Sequence, residues 1–390
     1  MKLLPSSYAV RNLGRSRSRL LLSVLGSALV VLLVMAAGAF VRGMDSSLRS
    51  TGRVDNIILA GAGSEESIER SEIDAGVGSI VAASIPGIRT SAGMAYVSPE
   101  VHVQLPLKVS AAQTRAPLIT VRGITPAATL VYAHVQIIDG HLPTAGRDEV
   151  MIGAAVATKM GIAETELTIG KSVLIDNRPW KIVGHFVAPG SVTESEVWTN
   201  LGDLMTATKR TTLSCVVITV DPEEVEFADV AAFTQMRLDL ELSAMPEAEY
   251  YAKLSTFFAP IRAVVWITAG LIGLGGLFGG LNTMYAAFAS RVRELGTLQS
   301  LGFRRLAIVL SLVQESILAT ASGSLIACLA AVLLLDGLAV RFSMGVFGLV
   351  IDPFVLGLGL AAGLALGLLG ALPPAWRCLR LAIPTALKAF

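Results

Sequence analysis

The chain has 390 residues, of which 53% are hydrophobic and 16% charged, against roughly a quarter charged in an ordinary soluble domain; mean hydropathy is +0.66. These values exclude a disordered chain, a collagen-like fibre and a small disulfide scaffold. A net charge of +1 gives no basic excess for nucleic acid, and Cys215, Cys328 and Cys378 are too scattered for a disulfide framework or zinc spacing.

In chain order, residues 1–19 form a basic segment with Lys2, Arg11, Arg15, Arg17 and Arg19 and no acid. Leu20 to Val41 then lacks charge throughout. A span needs about 20 apolar residues, so 20–41 reads as a first transmembrane helix. Ala37-Gly38-Ala39 offers a small-x-small cleavage site. The apolar run nevertheless exceeds the usual signal-peptide core of about 7–15 residues, and a retained anchor is expected.

Residues 42–262 are polar enough to lie outside the bilayer and long enough for a core of their own. Val54–Ala60, Leu118–Arg122, Val135–Ile138 and Leu213–Val220 have strand composition. Val173–Asp176 and Trp180–Phe186 flank Asn177-Arg178-Pro179 as a hairpin. Ala154–Met160, Val197–Thr208 and Glu224–Leu238 read as helices, the last starting at Asp221-Pro222. The Gly/Ser/Ala-rich patches 60–67 and 74–84 read as joints. The expected class is therefore an α-helical membrane protein with four transmembrane helices and a large α+β extracytoplasmic domain between helices 1 and 2. Near Pro246-Glu247 a helix is expected to start and run unbroken into the second span as a stalk.

The second span is 263–289, followed by a loop at 290–305. A third span at 306–335 is interrupted only by Glu315, next to Gln314. A short loop, 336–352, leads to a fourth span at 353–376 and a tail, 377–390. Segments 1–19, 290–305 and 377–390 hold 12 basic residues and one acid, whereas 42–262 holds 18 basic and 26 acidic. The positive-inside rule places both termini in the cytoplasm and the large domain outside.

No catalytic constellation emerges. His102, His134, His141 and His185 lack metal spacing, and no Gly-x-Ser-x-Gly surrounds a serine. Gly170-Lys171-Ser172 resembles the end of a phosphate loop, but the required earlier glycine is Thr165, so a turn before a strand is the better reading. The second span holds Gly275, Gly276, Gly279 and Gly280; the fourth holds Gly359, Gly363 and Gly367 at every fourth position. Such spacing lets helix backbones approach closely, within one subunit or between subunits. Glu315 stands about 15 Å along its helix from the start, where an ionisable group pairs with a neighbouring helix or serves a proton or substrate path. In the 290–305 loop, Val292, Leu295, Leu298 and Leu301 recur every three residues on one side of a short helix, and Gly302 suits its end. Such a helix lies on headgroups or docks on a cytoplasmic partner.

Arg291-Val292-Arg293-Glu294-Leu295-Gly296-x-Leu298-x-x-Leu301-Gly302 resembles the coupling segment of FtsX/MacB-family ABC transporter permeases. Gln314-Glu315-Ser316 is similar to a recurring feature of the family's next span. Pro374-Ala375-Trp376-Arg377 with Arg380-Leu381, Pro384 and Ala386-Leu387 resembles its C-terminal signature, and Arg11-Asn12-Leu13 with Arg15 and Arg19 its N-terminal one. Gly146 to Gly153 looks like part of the MacB-type periplasmic core domain.

The resemblance implies a permease in the bacterial inner membrane, working by mechanotransmission as a homodimer or with a paralogue. No ATPase domain is attached, so ATP and Mg are expected on a separate cytoplasmic ABC ATPase, with no cofactor on this chain and no enzyme activity of its own. Export through a periplasmic adaptor and outer-membrane channel is the first expectation. Extraction of lipoproteins or lipids, and FtsX-like signalling to an extracellular enzyme, stay open.

Overall fold

The computed structural model describes residues 8, 11–12, 17–113, 116–342 and 345–380. Two compact units emerge. A helical unit comprises 1–43, 260–338 and 349–390; an α/β unit comprises 44–259 with 339–348.

Among the described residues, four helices are long and apolar enough to cross a membrane: α1 (Arg17–Thr51), α6 (Ala259–Ala289), α8 (Arg305–Leu334) and α9 (Pro353–Leu379). The α/β unit contributes α2 (Val77–Ser84), α3 (Leu201–Thr208), α4 (Phe227–Met236) and α5 (Glu247–Phe257). A short helix α7 (Val292–Ser300) joins α6 to α8.

The α/β unit is built on strands β1 (Asn56–Gly61), β2 (Val97–Lys108), β3 (Leu118–Ile124), β4 (Gln136–Gly140), β5 (Glu149–Gly153), β6 (Ser172–Ile175), β7 (Arg178–Val187), β8 (Val197–Asn200), β9 (Cys215–Thr219) and β10 (Leu242–Pro246). Their order is β10-β1-β9-β2-β3-β8-β5-β7-β4, and β6 pairs with both β7 and β2. The pairings β2-β3-β8-β5-β7-β6-β2 therefore close into a ring. One face of each ring strand turns inward, as the period of two requires. The buried pairs Ile119/Val121, Val150/Ile152, Val173/Ile175 and Trp180/Ile182 fill that core. The twelve-residue β2 serves two ladders: its first half pairs with β9, its second with β3 and β6.

The chain departs locally from the sequence expectations. The hairpin turn is Asp176-Asn177, with φ of +49° and +62°, so Arg178 and Pro179 already lie in β7. Two consecutive left-handed residues make the tight turn that matches strand twist. Residues 197–200 form strand β8, with α3 confined to 201–208, because Val197 and Trp198 are buried between two neighbouring strands. The 74–84 patch is mostly helix α2, whose Val77, Val81 and the following Ile85 repeat at four-residue spacing into the core. Helix α4 begins at Phe227, later than expected; the Asp229 carboxylate accepts the Glu226 backbone N–H at 3.0 Å.

The stalk is also different. A turn at Phe258 separates α5 from α6, since Pro260 has no N–H with which to continue the ladder. Alongside α5 runs the last part of α1, antiparallel to it. Ser255 Oγ donates to Asp45 at 3.0 Å, and a Cβ on Gly52 would stand 2.7 Å from Ala248 Cα. Met44, Leu48, Tyr251 and Phe258 are buried. A hairpin of Ala339–Arg341 and Val346–Gly348, from the loop between α8 and α9, belongs to this unit: Val346 N–H donates to Ser195 Oγ at 2.9 Å.

Candidate functional site

Helix α7 spans Val292–Ser300 and closes on a glycine. Gly302 adopts φ +88°. Phe303 N–H reaches Leu298 O at 3.2 Å and Gly302 N–H reaches Gln299 O at 3.1 Å, the paired bonds of a Schellman ending.

The helix has two unlike faces. Val292, Leu295 and Gly296 are buried, Leu298 half-buried. Leu295 packs in one cluster with Phe288, Ile308, Leu312, Ala375 and Leu379 from α6, α8 and α9. Burial of one leucine is worth about 1.5–3 kcal/mol, so this face fastens α7 to the spans. The opposite face presents Arg293, Thr297, Ser300 and Leu301, the last 69% exposed. The four apolar residues spaced by three therefore do not act together: Leu301 turns outward because nine residues at 3.6 per turn carry it off the stripe.

Glu294 and Arg291 are engaged within the chain. Tyr8 Oη donates to Glu294 at 2.6 Å, and Arg291 Nε donates to Glu294 at 3.1 Å. Arg291 Nη1 also reaches Glu315 at 3.0 Å, and Arg19 Nη2 reaches the same carboxylate at 2.7 Å. One chain of charge thus ties the N-terminal segment, the start of α1, α7 and α8. Burial opposes the charge of Arg291, but Glu315 and Glu294 together outweigh it and hold the guanidinium above its ordinary value.

Glu315 is buried with two cationic partners, which explains its tolerance in an apolar helix. The 30-residue α8 is about 45 Å long, longer than a hydrocarbon core of about 30 Å. Its first turns can thus lie outside the lipid, within reach of Arg19 and Arg291. Gln314, its exposed neighbour, faces away.

The glycines divide by helix. A Cβ at Gly359 or Gly363 would fall on Met35 of α1 or Ser324 of α8, and at Gly367 on Thr320 of α8. At Gly276 it would strike Val30 of α1 at 2.6 Å, whereas Gly275, Gly279 and Gly280 face open space. The stripe on α9 therefore packs within the chain.

Residues Leu13, Arg15, Leu381, Pro384, Ala386 and Leu387 of the terminal signatures lie outside the described residues.

A second polar cluster, unforeseen in the sequence, is buried in the α/β unit. Register sets His102, Arg122 and Trp198 opposite one another on β2, β3 and β8. Arg122 grips Glu196 with two bonds of 2.8 Å and Glu100 at 3.1 Å. Glu100 also accepts from Ser98 and Tyr132 and contacts His102 Nε2 at 2.7 Å. Burial works against ionised Glu100, yet Arg122 and His102 hold its carboxyl below the ordinary range. Cys215 Sγ lies 4.0 Å from His102 Nε2, and Glu100, His102 and Cys215 are close enough together to surround an ion. Burial pushes the Cys215 thiol up, away from the thiolate a metal needs, and Arg122 already neutralises the acid. The cluster reads as a structural brace. Only the strand composition around Arg122 hinted at it.

Residues 20–235 match the model of the MacB-like periplasmic core domain, and 266–383 match that of the FtsX-like permease C-terminal domain. Among solved structures, the periplasmic region of MacB from Actinobacillus actinomycetemcomitans is 13% identical with a TM-score of 0.40, covering 53% of this chain and 95% of its own. The extracellular domain of the noncanonic ABC-type transporter YknZ from Gram-positive bacteria is 15% identical with a TM-score of 0.37, covering 49% and 99%. No curated protein matches the chain.

Proposed function

The chain belongs to the FtsX/MacB family of ABC transporter permeases, and on that premise we propose that it is the permease subunit of an exporter driven from the cytoplasm by a separate ABC ATPase. Such subunits are not enzymes themselves. ATP and Mg act on the partner, while this chain converts closure of the ATPase into movement of its α/β unit. The termini and α7 lie in the cytoplasm, and the α/β unit lies outside the inner membrane. A second copy or a paralogue completes the permease, and an adaptor with an outer-membrane channel would carry the cargo onward.

The observation that carries this reading is the two-faced α7. One face is buried in the helical unit; the other offers Arg293, Thr297, Ser300 and Leu301. A helix fastened to three spans on one side and open on the other can pass a push from a soluble partner to the spans. Arg291 and Glu315 stiffen that path by bonding α7 directly to α8.

The test is purification of the tagged chain from its native membrane in mild detergent, with mass spectrometry and an ATP-turnover assay. An ABC ATPase that co-purifies with nucleotide-dependent turnover is expected. Its absence, under conditions that keep a known transporter intact, would overturn the reading.

A further inference from the structure

Glu247 is the first residue of α5 and is 1% exposed. Its Oε2 accepts two neutral donors: the Arg53 backbone N–H at 3.1 Å and Asn56 Nδ2 at 2.9 Å. Arg53 lies just beyond the end of α1, and Asn56 begins β1. Asn56 Oδ1 in turn accepts from Thr219 Oγ1 of β9 at 2.7 Å. One carboxyl group therefore joins the end of α1, the start of α5 and the sheet. The fit is tight, because Gly52 passes against the backbone of Glu247 and Ala248 with no room for a Cβ.

No cation bonds this carboxylate among the described residues. The Arg53 guanidinium is turned to Asp55, at 2.8 and 3.0 Å, and Arg89 pairs with Asp55 as well. Arg122 of β3 attracts the Glu247 charge from further away, and Glu100 of β2 repels it. The remaining titratable groups facing it are the Tyr132 and Tyr251 phenols and the Cys215 thiol, all held neutral by burial. A buried charge with neutral donors and no bonded counter-ion is costly.

We propose that Glu247 is a proton-controlled clasp: neutral, it holds the ends of α1 and α5 to the sheet, and ionised, it loosens that junction. Burial pushes its carboxyl up to about 7, which places the change near neutral pH. The clasp joins the end of α1 to the start of α5, so ionisation would loosen the packing of these two helices on the sheet. Any consequence for transport rests on the permease reading; the clasp itself does not.

The test is peptide-resolved hydrogen exchange on the full chain in detergent at pH 6 and pH 8, corrected for intrinsic rates. Residues 44–57 and 247–257 should exchange about tenfold faster at pH 8, since the closed form then loses its proton advantage over the opened one. Glu247→Gln, which keeps an acceptor and cannot ionise, should remove that difference. Glu247→Ala should raise exchange at both values. Equal protection of the native chain at both pH values would overturn the proposal even if no variant folds. An unchanged difference in Glu247→Gln would do so as well. Co-purification of an ATPase tests the permease reading separately.

Discussion

Arg291, at the entrance to α7, sets its guanidinium 3.0 Å from the carboxylate of Glu315 in α8, which also binds Arg19 at 2.7 Å. Two cations and one buried acid thus share a single joint at the base of three helices. Replacing Glu315 with Gln should leave Arg19 without its bonded carboxylate and Arg291 with Glu294 alone, and destabilise the helical unit by about 3 kcal/mol. Thermal unfolding in detergent checks this, and Arg291→Met should unfold at a temperature closer to wild type because it leaves Arg19 to pair with Glu315.

The glycines allow a paired comparison. Gly363→Ala forces a methyl onto Ser324, whose hydroxyl already donates to Thr320 O at 2.9 Å. Overpacking of this kind costs about 1–3 kcal/mol. Gly279→Ala meets open space and should leave the unfolding temperature of the single chain unchanged or higher. Equal effects would show that the α9 stripe is not the packing contact described.

How much of this was legible in the sequence depended on the length scale of the signal. Charge-free runs of 20 residues marked the spans, since lipid leaves no other solution for them. Gly302 marked the end of α7, because few other residues adopt φ +88°. The faces of α7 were less legible: its apolar residues are spaced by three, and only the packing of α8 and α9 decides which turn inward. The ring of strands was hidden because the pairing of β6 with β2 joins residues about 70 positions apart. The Arg122 brace was hidden for the same reason, its partners Glu100 and Glu196 being adjacent only through strand register. Val197–Asn200 read as helix because α3 follows it at once.

The brace should be acid-labile. Glu100 has a folded-state carboxyl below its ordinary 4.5, so its contribution is present above that value and is lost as pH falls through the folded-state one. Arg122→Met leaves Glu100 and Glu196 buried without their cation. It should cost about 3–5 kcal/mol at neutral pH, read as a lower unfolding temperature of the α/β unit, with the loss shrinking as the pH falls below 4.5. A loss independent of pH would point to packing alone.

The stalk reading has its own consequence. Asp45 and Ser255 bridge α1 and α5 at 3.0 Å. Disulfide crosslinking of Asp45→Cys with Ser255→Cys should proceed readily and leave ATP turnover intact if the pair moves as one body. Uncoupling of turnover from export in the oxidised form would mean that the two helices slide.

The central claim is that the open face of α7 receives an ATPase. A photo-crosslinking residue at Thr297, in the native membrane, should capture a chain bearing an ABC ATPase domain, whereas the same residue at the buried Leu295 should capture none. If Thr297, Arg293 and Leu301 all fail to capture an ATPase while the chain is present at its normal level, α7 is not the coupling element.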